Sequence, residues 1–438
     1  MNMPDNKFLV PQEAPQLGRG PDWLQEQRRG LGESFNDAEL PRRGLHLWRY
    51  TDPTRFLIEQ EAANVTDQKM APLAVEKALR KSVSDGELAG LVVDRGGLTV
   101  EVILSDELIA QGVVVTSLAD AANSHSDIVQ KHLYGLVNAA SGKFEALNGA
   151  LWNDGVFLMV PDGVTVERPI HLLRQTGSTG AATFPRLLVM AGRNSELAIV
   201  DEYAGGSVDH GENRTYSNGA VEIFADDDSR VRYVMLQRFS TGTDAYLTHR
   251  ARLGRNATML TVPLSFGGLL AKSSFGSIMA DEGAESKISG LIFGAGRQHF
   301  DNHTLHHHTS SLTHSDIDYK VVLKDRAESA YTGLIRIEND AKTCEAYQEN
   351  RNLLLNAGAK AETIPELEIL NEDVMCSHGA TVGPIDPMAI FYLTSRGIVE
   401  ENAVRMIIAG FVETTLSRLP GDLRDRVRRY VANRLEEI

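Results

Sequence analysis

The chain has 438 residues, 42% apolar and 24% charged, enough to bury a core of two or three domains without disulfide or metal staples. Its 59 acidic against 44 basic residues leave a net charge of -15, which argues against nucleic acid or an anionic membrane as partner, because both recruit clustered basic charge. Only two cysteines occur, Cys344 and Cys376, which excludes a CxxC zinc ribbon, a thioredoxin-like site and a four-thiolate cluster held by this chain alone. The first 14 residues lack the apolar segment of a secretory signal, and no apolar run is long enough to span a bilayer. A cytoplasmic protein is the expectation.

Residues 1–150 read as a mostly helical region. Pro21-Asp22-Trp23-Leu24 opens a short helix that runs to about Phe35. A helix is expected from Asp67 to Val83, stopped by Ser84-Asp85-Gly86. Leu91-Val92-Val93 and Leu98 to Leu104 flank a Gly96-Gly97 turn and predict a hairpin. Asp120 to Leu133 is expected to be helical again.

From 151 to 384 the texture is β. Short apolar runs alternate with turns that resemble one another, ending at Ser195, Ser229, Ala257 and Ala284, at spacings of 34, 28 and 27. Later turns end at Ala327, Ala341 and Ala359, where the spacings tighten to 14 and 18. Imperfect periods of this size, filled with strands, point to a β-solenoid, with a sandwich as the alternative. Gln348, Asn350 and Asn352 alternate with other residues and share one strand face, opposite Leu353 and Leu355. That face is expected either to stack as an amide ladder between turns or to meet solvent.

Residues 385–438 read as helical. Asp386-Pro387 supplies an N-cap with Pro at the first helical position, and Gly397 a stop. The next helix sets Val404, Ile407, Ile408, Phe411, Val412, Leu416 and Leu419 on one stripe. In the last helix, from Asp422 to Ile438, Leu423, Val427, Val431 and Leu435 form a row. Its five arginines, 424, 426, 428, 429 and 434, form either a solvated face or a docking surface for another protein.

The chain carries no GxxxxGK[ST] loop, GxSxG elbow, HExxH pair or GxGxxG turn before a helix. It therefore offers no P-loop route to ATP, and no catalytic pair is visible. Soft donors do occur. Cys376 and His378 lie two residues apart, so on a strand they face the same way, roughly 7 Å apart. Sulfur plus imidazole suits zinc, copper or iron, but two ligands leave a site unfinished. Cys344 reads as a buried, reduced core residue. The rival site is the tract His299, His303, His306, His307, His308 and His314, where His306 and His308 would share a face. Otherwise these imidazoles fill polar sheet positions or line a subunit contact.

Several segments together resemble the SufB/SufD scaffold family. These are Gln348-Glu349-Asn350-Arg351-Asn352-Leu353, Pro365-Glu366-Leu367-Glu368-Ile369, Cys376-Ser377-His378-Gly379-Ala380-Thr381-Val382-Gly383 and Phe391-Tyr392-Leu393, followed by Ser395-Arg396-Gly397. Lys143-Phe144-Glu145-Ala146-Leu147-Asn148, Val160-Pro161-Asp162-Gly163-Val164 and Trp48-Arg49-Tyr50-Thr51 extend the likeness toward the N-terminus. Length and scarce cysteine match the SufD branch. The resemblance implies a right-handed parallel β-helix between N- and C-terminal helical regions. It implies a non-enzymatic scaffold that pairs with a SufB-like subunit, or with itself, and docks the ATPase SufC through its C-terminal helices. A cysteine desulfurase system would supply sulfur indirectly, and this chain would bind no nucleotide. By the same resemblance His378, with Cys376 beside it, would meet iron or a transient iron–sulfur cluster at the partner interface. A metal-dependent β-solenoid or cupin-like enzyme built on the His299–His314 tract is the alternative.

Overall fold

The computed structural model describes residues 20–57, 70–177, 180–206 and 214–436. The first 14 residues and the start of the helix expected from Asp67 lie outside the described residues. Within them that helix begins only at Ala74, because Pro72 disfavours helical backbone at the residue before it.

The recurring turns are the corners of a coil. In 192–195, 226–229, 254–257 and 281–284 the third residue (Asn194, Asp228, Asn256 and Gly283) is left-handed, with φ from 53° to 74°. Asn, Asp and Gly enter that region at the lowest cost. The small fourth residue (Ser195, Ser229, Ala257 and Ala284) is buried inside the corner. Each corner also leans on the next turn: Asn194 N–H donates to Asp227 O, Asp228 N–H to Arg255 O and Asn256 N–H to Glu282 O.

Between corners run strands that build two ten-stranded sheets among the described residues. β1 (Gly90–Arg95) and β2 (Leu98–Leu104) form the expected antiparallel hairpin, and β3 (Val114–Ser117) pairs antiparallel with β4 (Val156–Val160). Parallel pairing then takes over. β5 (Ile170–Thr176), the short β6 (Ala182–Thr183), β7 (Arg186–Ala191), β8 (Glu196–Gly205), β9 (Thr215–Ala225), β10 (Arg230–Phe239), β11 (Thr243–Leu253) and β12 (Thr258–Ser265) form the first half. β13 (Leu270–Met279), β14 (Glu285–Gly294), β15 (His299–His308), β16 (His314–Leu323), β17 (Glu328–Ile337), β18 (Cys344–Leu354), β19 (Lys360–Ile369) and β20 (Val374–Gly383) form the second. From β7 on, odd strands join one sheet and even strands the other. The result is a parallel β-solenoid of about 8 turns. The tightened spacing has a simple cause: Ala341 lies at one corner, between β17 and β18, while Ala327 and Ala359 lie at the opposite one, so the two short steps make a single turn.

One continuous apolar core fills the space between the sheets, from Val92 and Leu158 to Ile337 and Cys344. Helices cover the outer faces. α1 (Asp22–Asp37) and α6 (Lys143–Leu151), with Trp48 and Phe56, pack over Leu188, Tyr216, Tyr246 and Leu270 of the odd sheet. α2 (Ala74–Ser84) covers β1, α3 (Asp106–Ala110) leads into β3, and α4 (Leu118–Ser124) and α5 (Ser126–His132) split the helix expected at 120–133. The break falls at His125, whose backbone is not helical.

α7 (Pro387–Thr394), α8 (Glu400–Leu416) and α9 (Gly421–Glu436) follow the last strand. Ile408, Val412 and Leu416 of α8, and Leu423, Val427, Val431 and Leu435 of α9, seat on Val200, Val234, Val262, Leu291 and Val322 of the even sheet. Buried charge locks α9 further. Glu202 is fully buried and accepts from His171 Nε2 at 2.8 Å, Arg238 Nε at 2.5 Å and Arg426 Nη2 at 2.5 Å. Arg434 donates to Phe293 O and Phe266 O of the same sheet. Two of the five arginines therefore fasten the helix to the solenoid, and Arg424 and Arg428 bond to Ser417, Leu419 and Glu413 in and after α8, which neither of the sequence-level readings anticipated.

Candidate functional site

The solenoid ends open. β19 and β20 are the terminal strands of the two sheets, so each leaves one edge unpaired among the described residues. Paired residues of a parallel ladder face the same way, and register therefore fixes what β20 turns inward. Ala346 pairs with Cys376, Gln348 with His378 and Asn350 with Ala380. Ala346, Gln348 and Asn350 are buried inside the solenoid, so the thiol and the imidazole point into the mouth of its lumen. Across the mouth β19 presents Ala361, Thr363, Pro365 and Leu367, in register with Ser329, Tyr331, Gly333 and Ile335.

The two residues differ in environment. Cys376 is partly buried against the rim of the core, whereas His378 is exposed. Burial raises the Cys376 thiol above its ordinary pKa, and the neighbouring Cys344 adds to the rise. At rest it is a neutral thiol, and it becomes a strong ligand when an arriving cation displaces its proton. Both cysteines are free. Cys344, one turn below, is buried, with Sγ 3.2 Å from Thr313 Oγ1.

The amide face turns out to point inward. Asn350 Nδ2 donates to Tyr319 O at 2.9 Å, and Asn352 Nδ2 to Thr381 O at 3.0 Å and Asn350 Oδ1 at 2.6 Å. Neither solvent nor an amide ladder receives these groups. Their in-register neighbours on β16 and β20 are Tyr319, Val321, Ala380 and Val382, so the amides bind backbone carbonyls of adjacent turns instead.

The histidine tract is not gathered into one site. His306 and His308 face the interior, where His306 Nε2 meets Ser286 Oγ at 3.1 Å and His308 bridges Thr313 and Ser315 at 2.7 and 2.9 Å. On the outer face His303 pairs with Asp301 at 2.8 Å and His307 with Glu338 at 2.7 Å. No group of three or more His, Cys, Asp or Glu able to hold a metal is found among the described residues. The tract thus fills polar sheet positions.

Buried imidazoles, including His249 on β11, carry a pH consequence. Burial pushes His249 and His306 down to about 3 and His308 down to about 4. With the folded pKa below the unfolded value near 6.5, the unfolded chain takes up protons first, and stability falls as pH drops below that value. Each group contributes on the order of 1 kcal/mol of loss between pH 7.5 and 5.5. Asp94, pushed up to about 6 by burial, offsets about 1 kcal/mol of this. Burial lowers His171, His299 and His303 as well, so urea unfolding is expected to show a chain less stable at pH 5.5 than at pH 7.5 by a few kcal/mol. Equal stabilities would show that the imidazoles are solvated rather than buried.

The C-terminal helices also divide differently from the pattern. The α8 stripe faces this chain's own sheet and is not available to a partner. The apolar surface left open is α7, none of whose residues is buried: Met388, Phe391 and Tyr392 are 67%, 64% and 57% exposed. Val399 and Met406 are exposed as well, and so are Leu370, Met375 and Val382 on or beside the terminal strands. Sequence periodicity did not single out α7, because a helix apolar on all sides carries no stripe.

Among the described residues no helix is long and apolar enough to cross a membrane. Residues 173–411 match the family described as SUF system FeS cluster assembly, SufBD core domain, and residues 18–172 match the SufBD protein N-terminal region. The chain is 29% identical to the iron–sulfur cluster assembly protein SufD of Bacillus subtilis (strain 168) over 410 residues, covering 91% of each. It is 25% identical to SufB of the same organism over 433 residues, covering 98% of this chain and 92% of the relative. An iron–sulfur cluster assembly SufBD family protein of Staphylococcus aureus (strain USA300) shows the same identity and coverage as that SufB.

Proposed function

Because this chain belongs to the SufBD family of the SUF iron–sulfur cluster assembly system, and is more similar to a SufD than to a SufB, we propose that it contributes half of a cluster-assembly site. One observation carries this reading: Cys376 and His378 sit at the mouth of an open lumen, beside two unpaired strand edges. An exposed edge recruits another strand, and the apolar residues next to it gain by being covered. In this reading a SufB-like subunit closes the mouth and supplies the remaining soft ligands. His378 binds iron or the nascent cluster, with Cys376 as second ligand, and the cluster is cargo rather than a resident group. The chain itself turns over no substrate. ATP hydrolysis belongs to SufC and sulfur comes from a cysteine desulfurase system, all in the cytoplasm.

Co-expression with SufB-like and SufC-like subunits, followed by iron and acid-labile sulfide assays, tests the proposal. Cluster is expected on the complex and not on the isolated chain. An isolated chain that assembles cluster equally well would end the half-site reading. Two copies pairing through the same edges is the variant reading, and the mass of the isolated chain in solution separates the two.

We assign the SufC dock to α7 and the start of α8. Phe391→Glu places a charge on the exposed surface of α7 without touching the core. The ATPase recovered with the tagged chain is expected to drop by more than about tenfold, as for an aromatic hot spot, with the circular dichroism spectrum unchanged. Retained ATPase would move the dock elsewhere.

A further inference from the structure

A buried acceptor without a donor lies one turn beneath the proposed ligand, and from it we infer that Gln348 is the positioning residue for the His378 imidazole. The inference rests on the ligand role of His378 proposed above. Gln348 is 3% exposed and pairs in register with His378. Its Nε2 donates to Gly333 O at 3.2 Å, while its Oε1 is buried with no hydrogen-bond partner among the described residues. The reverse amide orientation would set two acceptors face to face at Gly333 O, so the oxygen is the free end.

Gly333 makes the arrangement possible. A Cβ there would fall 2.4 Å from Gln348 Oε1 and 2.7 Å from its Cδ, so any other residue would displace the amide. The Tyr331 hydroxyl, the other polar atom beside that glycine, pairs with Thr304 Oγ1 at 2.8 Å and does not serve Gln348. Buried acceptors are nearly always satisfied, and an orphan calls for a donor. Adjacent strands lie about 4.8 Å apart, so the His378 ring stands in register above the amide; the two are not hydrogen-bonded in this structure, and a rotation of the exposed ring would close the pair. A ligating histidine commonly donates its second ring N–H to such an acceptor, which fixes tautomer and ring orientation. Gln348 Oε1 takes the inward N–H of His378, and the lone pair of the other nitrogen then faces out of the lumen toward the partner.

The test uses the full chain labelled with 15N-histidine, His378 being assigned by its loss in His378→Ala. In the native chain the ring nitrogens are expected to report one dominant tautomer. Gln348→Met keeps the shape but removes the acceptor, and should give a tautomer mixture. Gln348→Leu removes the whole amide, and should give the same tautomer mixture. An unchanged tautomer ratio in both variants overturns the inference. Cluster yield on the complex separates it from the reading beneath it. If His378→Ala leaves the yield intact while the tautomer responds to Gln348, the ligand role falls and the hydrogen bond stands. If His378→Ala abolishes the yield while the tautomer ignores Gln348, the positioning role falls alone.

Discussion

Replacing His378 with alanine is expected to reduce the iron and sulfide recovered on the co-purified complex by at least about tenfold, with little change in stability. Both halves follow from where the residue sits. The imidazole is exposed at the mouth of the lumen and makes no hydrogen bond among the described residues, so its removal opens no cavity. A change at such a surface position typically stays within about 0.5 kcal/mol. Loss of cluster with the fold and the subunit pairing intact therefore reports on ligation alone. Cys376→Ser is the informative companion. It keeps size and polarity but removes the soft donor, and its expected loss of cluster would place the thiol in the site. Full cluster on both variants would leave the chain a purely architectural partner.

Glu202→Ala is expected to cost about 3–5 kcal/mol and to loosen α9 from the solenoid, because it leaves buried cations without their counter-charge. Burial by itself would push this carboxyl up. The hydrogen bond from His171 and the charges of Arg426 and Arg238 outweigh it and hold the group well below the ordinary carboxylate range. Its folded pKa lies below the unfolded one, so its contribution is complete above the unfolded value and is lost only as pH falls through the folded value. At pH 7 the ion cluster is fully formed. Arg426 comes from α9, Arg238 from β10 and His171 from β5, so one side chain ties the C-terminal helix to two strands of the even sheet. Chemical denaturation gives the stability loss, and faster amide exchange in α9 than in α8 gives the local loosening. A cost below about 1 kcal/mol would mean that Arg426 and Arg238 find water when the carboxylate is gone.

The solenoid was legible from its corners. Asn194, Asp228, Asn256 and Gly283 recur because each turn of the coil needs a left-handed residue followed by a small one, and that demand is local. Strand identity at β18 was also legible, but its direction was not. Gln348, Asn350 and Asn352 look like a wet face by polarity, and only the pairing with β16 and β20 shows that Asn350 and Asn352 donate to the backbone carbonyls of Tyr319 and Thr381 inside the core. The same limit applies to the C-terminal helices. The α8 stripe announces burial without naming what it is buried against, and the structure shows that this is the chain's own sheet. Cys376 and His378 were marked by donor chemistry and spacing. Their place at an unpaired end was not, since nothing in ten residues says that a strand is the last of its sheet. Gln348 escaped notice as a neighbour of His378 because thirty positions of chain separate the two (378 minus 348).

The most direct test of the half-site is electron–nuclear double resonance on the reduced cluster of a reconstituted complex in which only this subunit carries 15N-histidine. The expected result is a 15N coupling from one directly bound imidazole, absent when His378 is alanine and weakened or heterogeneous when Gln348 is methionine. A cluster formed in full yield that shows no 15N coupling to this subunit would contradict the ligand role of His378.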